Sequence, residues 1–226
     1  SLFLCYKENT LICSFFGEGN SVCCVIFNNT KFFNGNNSYM ADIPVDDEGK
    51  IAERDAFWEE YYKTVSWAYA FYGAMWNDKN YNPPKTIKPG NGTSASSMYY
   101  GCAITDTRVP LDLSDVTNIA FIFYNAKYLK TIRDITFPVS ATVTNAFAGC
   151  SALENITVSG SIQISLFFTA CTKLNKKSIE SIINALSDER EGLTVTLSKT
   201  AVNNAFTAEE WEALEATKTN WTISLV

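Results

Sequence analysis

One frame recurs along the middle of this chain: an aromatic residue, a second residue beside it, a turn former, then alanine or cysteine. It reads Phe71-Tyr72-Gly73-Ala74, Tyr99-Tyr100-Gly101-Cys102, Phe123-Tyr124-Asn125-Ala126, Phe147-Ala148-Gly149-Cys150 and Phe168-Thr169-Ala170-Cys171. The leading aromatics stand 28, 24, 24 and 21 residues apart. A unit this short cannot bury its own apolar groups and must stack on neighbours of the same kind. Periods in this range predict a solenoid.

Three blocks are followed by apolar residues at strand spacing: Val109, Leu111 and Leu113; Ile132, Ile135 and Phe137; Leu153, Ile156 and Val158. The period and these strands favour leucine-rich repeats over helical-pair repeats, which need more than about thirty residues per unit. Each strand then adds to a parallel sheet, about 4.8 Å from the last, and its inward residues share a core with the turns on either side. Cys102, Cys150 and Cys171 occupy the position held by Ala74 and Ala126 in the other blocks. A site that accepts either residue wants a small apolar group, so these cysteines are expected to be buried free thiols.

After Leu174 the period changes. Asn175 is expected to cap a helix through Leu186, with Ile179, Ile182, Ile183 and Leu186 on one face. LTVTLS reads as a strand. Thr207 with Glu210 forms a capping box, opening a helix to about Thr217, and WTISLV reads as a closing strand. This β-α-β unit would cover the last open edge of the stack.

At the other end, the runs LFLCY, LICSFF, VCCVIF and KFF alternate with turn segments, the signature of an antiparallel meander. A polar, turn-rich segment follows, then a helix expected from about Ala52 to Lys63. Three regions result: residues 1–47 as meander and linker, 48–174 as entry helix and repeats, and 175–226 as cap. The expected fold is therefore an α/β repeat, a leucine-rich-repeat solenoid with a parallel β-sheet. An N-terminal antiparallel β meander and a C-terminal β-α-β cap complete it. Cys5, Cys13, Cys23 and Cys24 crowd the meander, where a disulfide is an open alternative to free thiols.

Composition narrows the function. Apolar residues make up 46% and charged residues 19%, the balance of an ordered globular chain. A net charge of −6 with scattered basic residues argues against nucleic acid as a partner, because backbone binding needs clustered Lys and Arg. No run of about eighteen apolar residues occurs, so no membrane insertion is expected. SLFLCYKEN has neither a basic n-region nor a cleavage site; either no signal peptide exists or the chain starts after one, and a start at Ser1 points to trimming.

The chain has no histidine, which removes Ser-His-Asp and Cys-His nucleophile pairs and every histidine-based metal site. No phosphate-binding glycine motif and no EF-hand spacing of acids occurs, so no cofactor and no metal are expected. Glycoside hydrolysis needs only two carboxylates. The candidates are Asp46, Asp47 and Glu48; Asp188, Glu189 and Glu191; and Glu209, Glu210 and Glu212. Each cluster sits where solvated or capping acids usually sit. A carbohydrate-active enzyme is a remote alternative, and the expectation is no enzyme.

The stretch from Ala146 to Ile156, A-F-x-G-C-S-x-L-x-x-I, resembles the BspA-type leucine-rich repeat of bacterial and phage surface proteins. The tail LNKKSIESIINALSD, LTVTLS and EEWEALEATKTNWTISL is similar to the C-terminal part of many such proteins from gut Firmicutes and their prophages. So is the entry, DAFWEEYY with AFYGAMWNDKNYNPPKTIKP. The resemblance covers about residues 55–226. It implies a non-enzymatic module for adhesion or recognition, extracellular, on the cell surface or on a virion. The alternative is a structural, tail-associated component of a phage virion. The implied partner is a protein or glycan ligand on a host or bacterial surface, and the meander offers a segment for homo-oligomer formation.

Two binding surfaces are candidates. The aromatic segment 57–81 includes Trp58, Tyr62, Trp67 and Trp76, which would form a patch suited to glycan or protein contact wherever they reach the surface. Thr136 and Thr157 lie at outward positions of the expected sheet, a fixed array suited to an extended ligand.

Overall fold

The computed structural model describes three N-terminal strands by their backbone, and residues 67–68, 71–73 and 85–226 in full. The N-terminal strands are β1 (Leu2–Lys7), β2 (Thr10–Gly17) and β3 (Asn20–Val25), paired antiparallel in the order β1-β2-β3. The expected run KFF, the linker and the helix from Ala52 to Lys63 lie outside the described residues.

Among the described residues the rest is mixed α/β, with two parallel three-stranded sheets, three helices and no closed barrel. The first sheet joins β4 (Leu111–Asp112), β5 (Thr131–Thr136) and β6 (Asn155–Ser159). Leu111 pairs with Ile135 and Ile135 with Val158, so inward apolar residues sit above one another. β4 is shorter than the expected run from Val109 to Leu113. Arg108 has a left-handed backbone (φ 61°) and Pro110 has no N–H to give to a ladder.

The aromatic blocks form a second column. Rings stack from Phe71 to Tyr99 (4.8 Å between centroids), Tyr99 to Phe123 (5.4 Å) and Phe123 to Phe147 (5.4 Å), and Phe147 meets Phe168 at a tilt (4.4 Å). Tyr99, Phe123, Phe147 and Phe168 are fully buried, while Phe71, at the end of the column, is half-buried. The first three blocks each donate two backbone hydrogen bonds to the next: Phe71 N–H to Met98 O and Gly73 N–H to Tyr100 O, Tyr99 N–H to Ile122 O and Gly101 N–H to Tyr124 O, then Phe123 N–H to Ala146 O and Asn125 N–H to Ala148 O. The position of the second donor is left-handed. Gly101 occupies it, Gly149 holds the matching place in the fourth block, and Asn125 takes the same conformation (φ 55°), which asparagine tolerates better than most side chains.

From the last block, β7 (Leu166–Phe168) opens the second sheet, β7-β8-β9, with β8 (Leu193–Leu197) and β9 (Trp221–Leu225). Helix α1 (Lys176–Ala185) is capped by the Asn175 side chain, which accepts from Ser178 N–H, and buries Ile179, Ile182 and Ile183. Helix α2 (Lys199–Ala205) is absent from the sequence reading. It is short, buries Ala201 and Val202, and begins at Ser198 without a side-chain cap. Helix α3 (Ala208–Glu215) opens on the expected capping box of Thr207 and Glu210. The cap region thus carries two helices between its two strands.

One apolar core runs through all of this, from Trp67 to Trp221. Cys102, Cys150 and Cys171 lie within it as free thiols. The Cys150 thiol donates to Phe123 O at 3.0 Å. Burial pushes the Cys102 thiol up to about 12. Contact with the Cys150 thiol, then burial, holds the Cys171 thiol well above its usual value.

Candidate functional site

The sequence-based candidates separate in three dimensions. Trp67 is 3% exposed and packs against Phe71 with ring centroids 6.0 Å apart, so it belongs to the core and offers no surface. Trp58, Tyr62 and Trp76 lie outside the described residues. Thr136 and Thr157 do not form one row. Thr136 is in register with Asp112 and Ser159, whereas Thr157 faces a bulge in β5 where Arg133 and Asp134 stand opposite a single residue. Thr157 is exposed and Thr136 half-buried. Arg133, beside that bulge, is taken up by Asp106, with Nε 3.0 Å from the carboxylate.

The described members of the carboxylate clusters supply an ion pair and a helix cap. Asp188 receives the Lys218 ammonium at 2.8 Å. Glu210 accepts from Lys176 and from the Thr207 backbone, and both bonds hold its carboxyl below the usual range. Glu209 is lowered by hydrogen bonds at the same helix start. A general acid needs the opposite shift. Asp46, Asp47 and Glu48 lie outside the described residues. Among the described residues no cluster of three or more His, Cys, Asp or Glu side chains could hold a metal, and no helix is long and apolar enough to cross a membrane.

What the fold brings together is a second aromatic column, on the outside. The leading aromatic of each block points inward and the next residue points outward, so the second letters of successive blocks form a row of their own. Tyr72 stacks on Tyr100 (4.7 Å, 22° between planes) and Tyr100 on Tyr124 (4.9 Å, 26°). Phe121 meets Tyr124 edge-on at 5.6 Å. All four are half-buried. Partial desolvation, reinforced by the neighbouring Tyr72 and Tyr124 hydroxyls, raises the Tyr100 pKa above the usual phenol value. The signal for this row was in the frame itself, where tyrosine fills the second place three times before Ala148 and Thr169.

Stacked rings spend their faces on each other and present edges and hydroxyls to solvent. Such a row can make hydrogen bonds and apolar contacts at a fixed spacing with little loss of side-chain freedom. Compared with protein families, curated proteins and solved structures, the chain has no match.

Proposed function

We propose that this chain is a recognition or adhesion module without catalytic activity, displayed outside the cell on a bacterial surface or a virion. In this reading the hydrogen-bonded layers are coils of a leucine-rich-repeat solenoid of the BspA type, and the ligand is a glycan or protein on a host or bacterial surface. The observation that carries it is the outward column of Tyr72, Tyr100 and Tyr124, mounted on layers that the first three blocks tie together by backbone hydrogen bonds. Tyrosine, with Trp and Arg, is enriched at binding hot spots.

The test is retention of the purified chain on immobilised mucin, bacterial cell walls and mixed polysaccharides. Tyr100→Ala and Tyr124→Ala should each lower retention several-fold while circular dichroism stays that of the parent. Undiminished retention in both variants, or none by the parent, defeats the proposal. A second reading, a structural component of a phage tail, draws on the antiparallel meander β1-β2-β3. It pairs with neither of the parallel sheets among the described residues and could dock to a neighbouring virion protein. Presence of the chain at fixed stoichiometry in purified virions would favour that reading.

A further inference from the structure

The sheet β7-β8-β9 ends on an open edge. Val226 N–H donates to Leu197 O and Lys199 N–H to Val226 O, so the backbone groups of Val226 face β8. Backbone groups along a strand point alternately to either side, and Thr222 and Ser224 therefore face β8 as well. The N–H groups of Ile223 and Leu225, and the carbonyls of Trp221, Ile223 and Leu225, point away from the sheet. Among the described residues no strand and no side chain meets them. The other parallel sheet does not end this way. At β6, Ser178 and Ser181 of α1 take up the N–H groups of Ile156 and Val158, each at 2.9 Å.

The core also stops short at β9. Ile223 and Leu225 pack against it but are half-buried, whereas their β8 counterparts Val195 and Leu197 are fully buried. From Trp221 to Val226 the strand has no charge and no proline, and its pairing with β8 has no bulge. The usual devices that keep strand edges apart are thus missing. A chain of net charge −6 repels its own copies at long range, and an uncharged edge is where that repulsion is weakest.

We infer that β9 is a dimer edge, where a second copy of this chain pairs antiparallel with Trp221–Leu225 and the two sheets become one. A two-fold axis normal to the sheet through Ile223 sets Trp221 opposite Leu225 and Thr222 opposite Ser224. The apolar side then continues as apolar and the hydroxyl side as hydroxyl. The two Ile223 residues exchange backbone bonds, and each Leu225 N–H meets the second copy's Trp221 carbonyl. This register asks nothing of the Trp221 N–H, which is spent on Lys218 O. The inference is independent of the recognition reading.

The experiment is sedimentation velocity of the full chain over a range of concentrations, with amide hydrogen exchange followed residue by residue. The parent should pass from monomer to dimer as concentration rises. Protection of the Ile223 and Leu225 amides should rise with it, while Thr222 and Ser224 stay protected throughout. Ile223→Pro removes an outward N–H and no bond to β8, a setting in which an edge strand accepts proline. It should weaken dimerisation roughly tenfold or more. Thr222→Lys, at an exposed position, adds the charge that guards natural edges. It should weaken the dimer likewise and keep the circular dichroism of the parent. A parent that stays monomeric at every concentration overturns the inference. So does a dimer that either folded variant leaves at parent strength, or protection of Ile223 and Leu225 that does not change with concentration. Protection that arises only when a different protein is added would assign the edge to a foreign strand and overturn it equally. If Ile223→Pro fails to fold, Thr222→Lys and the exchange of the parent decide.

Discussion

At the scale of single residues, the inner turn is tighter than its sequence implies. A methyl group added at Gly149 would stand 2.5 Å from Asn125 Oδ1 and 3.1 Å from Asn125 Cα, whereas nothing lies within 4 Å of the same position at Gly101. Both glycines are left-handed, at φ +81° and +60°, so alanine is strained at either. Gly149→Ala should therefore cost more than Gly101→Ala, whose loss should be about 1 kcal/mol. Asn125→Gly should recover part of the Gly149→Ala loss in a double-mutant cycle measured by urea denaturation, because the two sites touch. Equal losses and strict additivity would refute the contact.

The Cys102 thiol supplies a pH test at the same scale. Its pKa in the folded protein is about 12, above the roughly 8.5 of an unfolded thiol. The folded state thus holds the proton that the unfolded state releases. Stability from this group is complete below the unfolded value and is lost as pH rises toward the folded one. The parent should lose more stability than Cys102→Ala between mildly and strongly alkaline pH, since every other titrating group is common to both. An identical decline would show that the thiol is not desolvated. Native protein should also resist alkylation at Cys102, Cys150 and Cys171, all three labelling after denaturation without reductant.

At the scale of elements, α1 takes the place of the next strand. The β6 backbone would ordinarily donate to a further strand, but Ile156 N–H donates to Ser178 Oγ and Val158 N–H to Ser181 Oγ, each at 2.9 Å. Ser178 Oγ in turn donates to Glu154 O at 3.1 Å. The two serines sit three residues apart on one helix, which puts them on one face and in step with alternate residues of the strand. Ser178→Ala leaves the Ile156 N–H buried and unpaired, and should cost about 1–3 kcal/mol. Ser181 is half-buried, so Ser181→Ala should cost less. Thermal melts of the two variants check the order; no loss from Ser178→Ala would mean that the strand edge does not depend on the helix. The helix itself is plain in the spacing of Ile179, Ile182, Ile183 and Leu186, but the office of its serines is not. Serine is common on half-exposed helix faces, and only its placement against β6 gives it a role.

At the scale of the molecule, one core joins the first described aromatic block to the cap. Trp67 at one end and Trp221 at the other belong to the same buried cluster, with no break between. Layers that share a core and exchange backbone hydrogen bonds should unfold together. A single calorimetric transition is expected for this part of the chain, with calorimetric and van't Hoff enthalpies equal. Phe147 lies in the middle of the inner column, between Phe123 and Phe168. Phe147→Ala should remove about 3–5 kcal/mol and move that whole transition rather than split it. Two resolved transitions in the variant would mean that the layers are energetically separate.

The interior was legible in the sequence because burial restricts chemistry at each position. Phe or Tyr had to fill the inner column, Ala or Cys the small site, and Gly or Asn the left-handed turn of the first four blocks, so a repeated environment left a repeated word. Capping of α1 and α3 was legible for a similar reason, since a cap is a contact between near neighbours in the chain. The bulge that takes Thr157 out of line with Thr136, the serines that replace a strand and the burial of Trp67 were decided by packing between residues some twenty or more positions apart. Outward side chains are under no common burial constraint, so their register follows from the sum of all the layers. The frame marks Tyr72, Tyr100 and Tyr124 by their shared second place, but only the tertiary structure turns that place outward and stacks the three rings on one another.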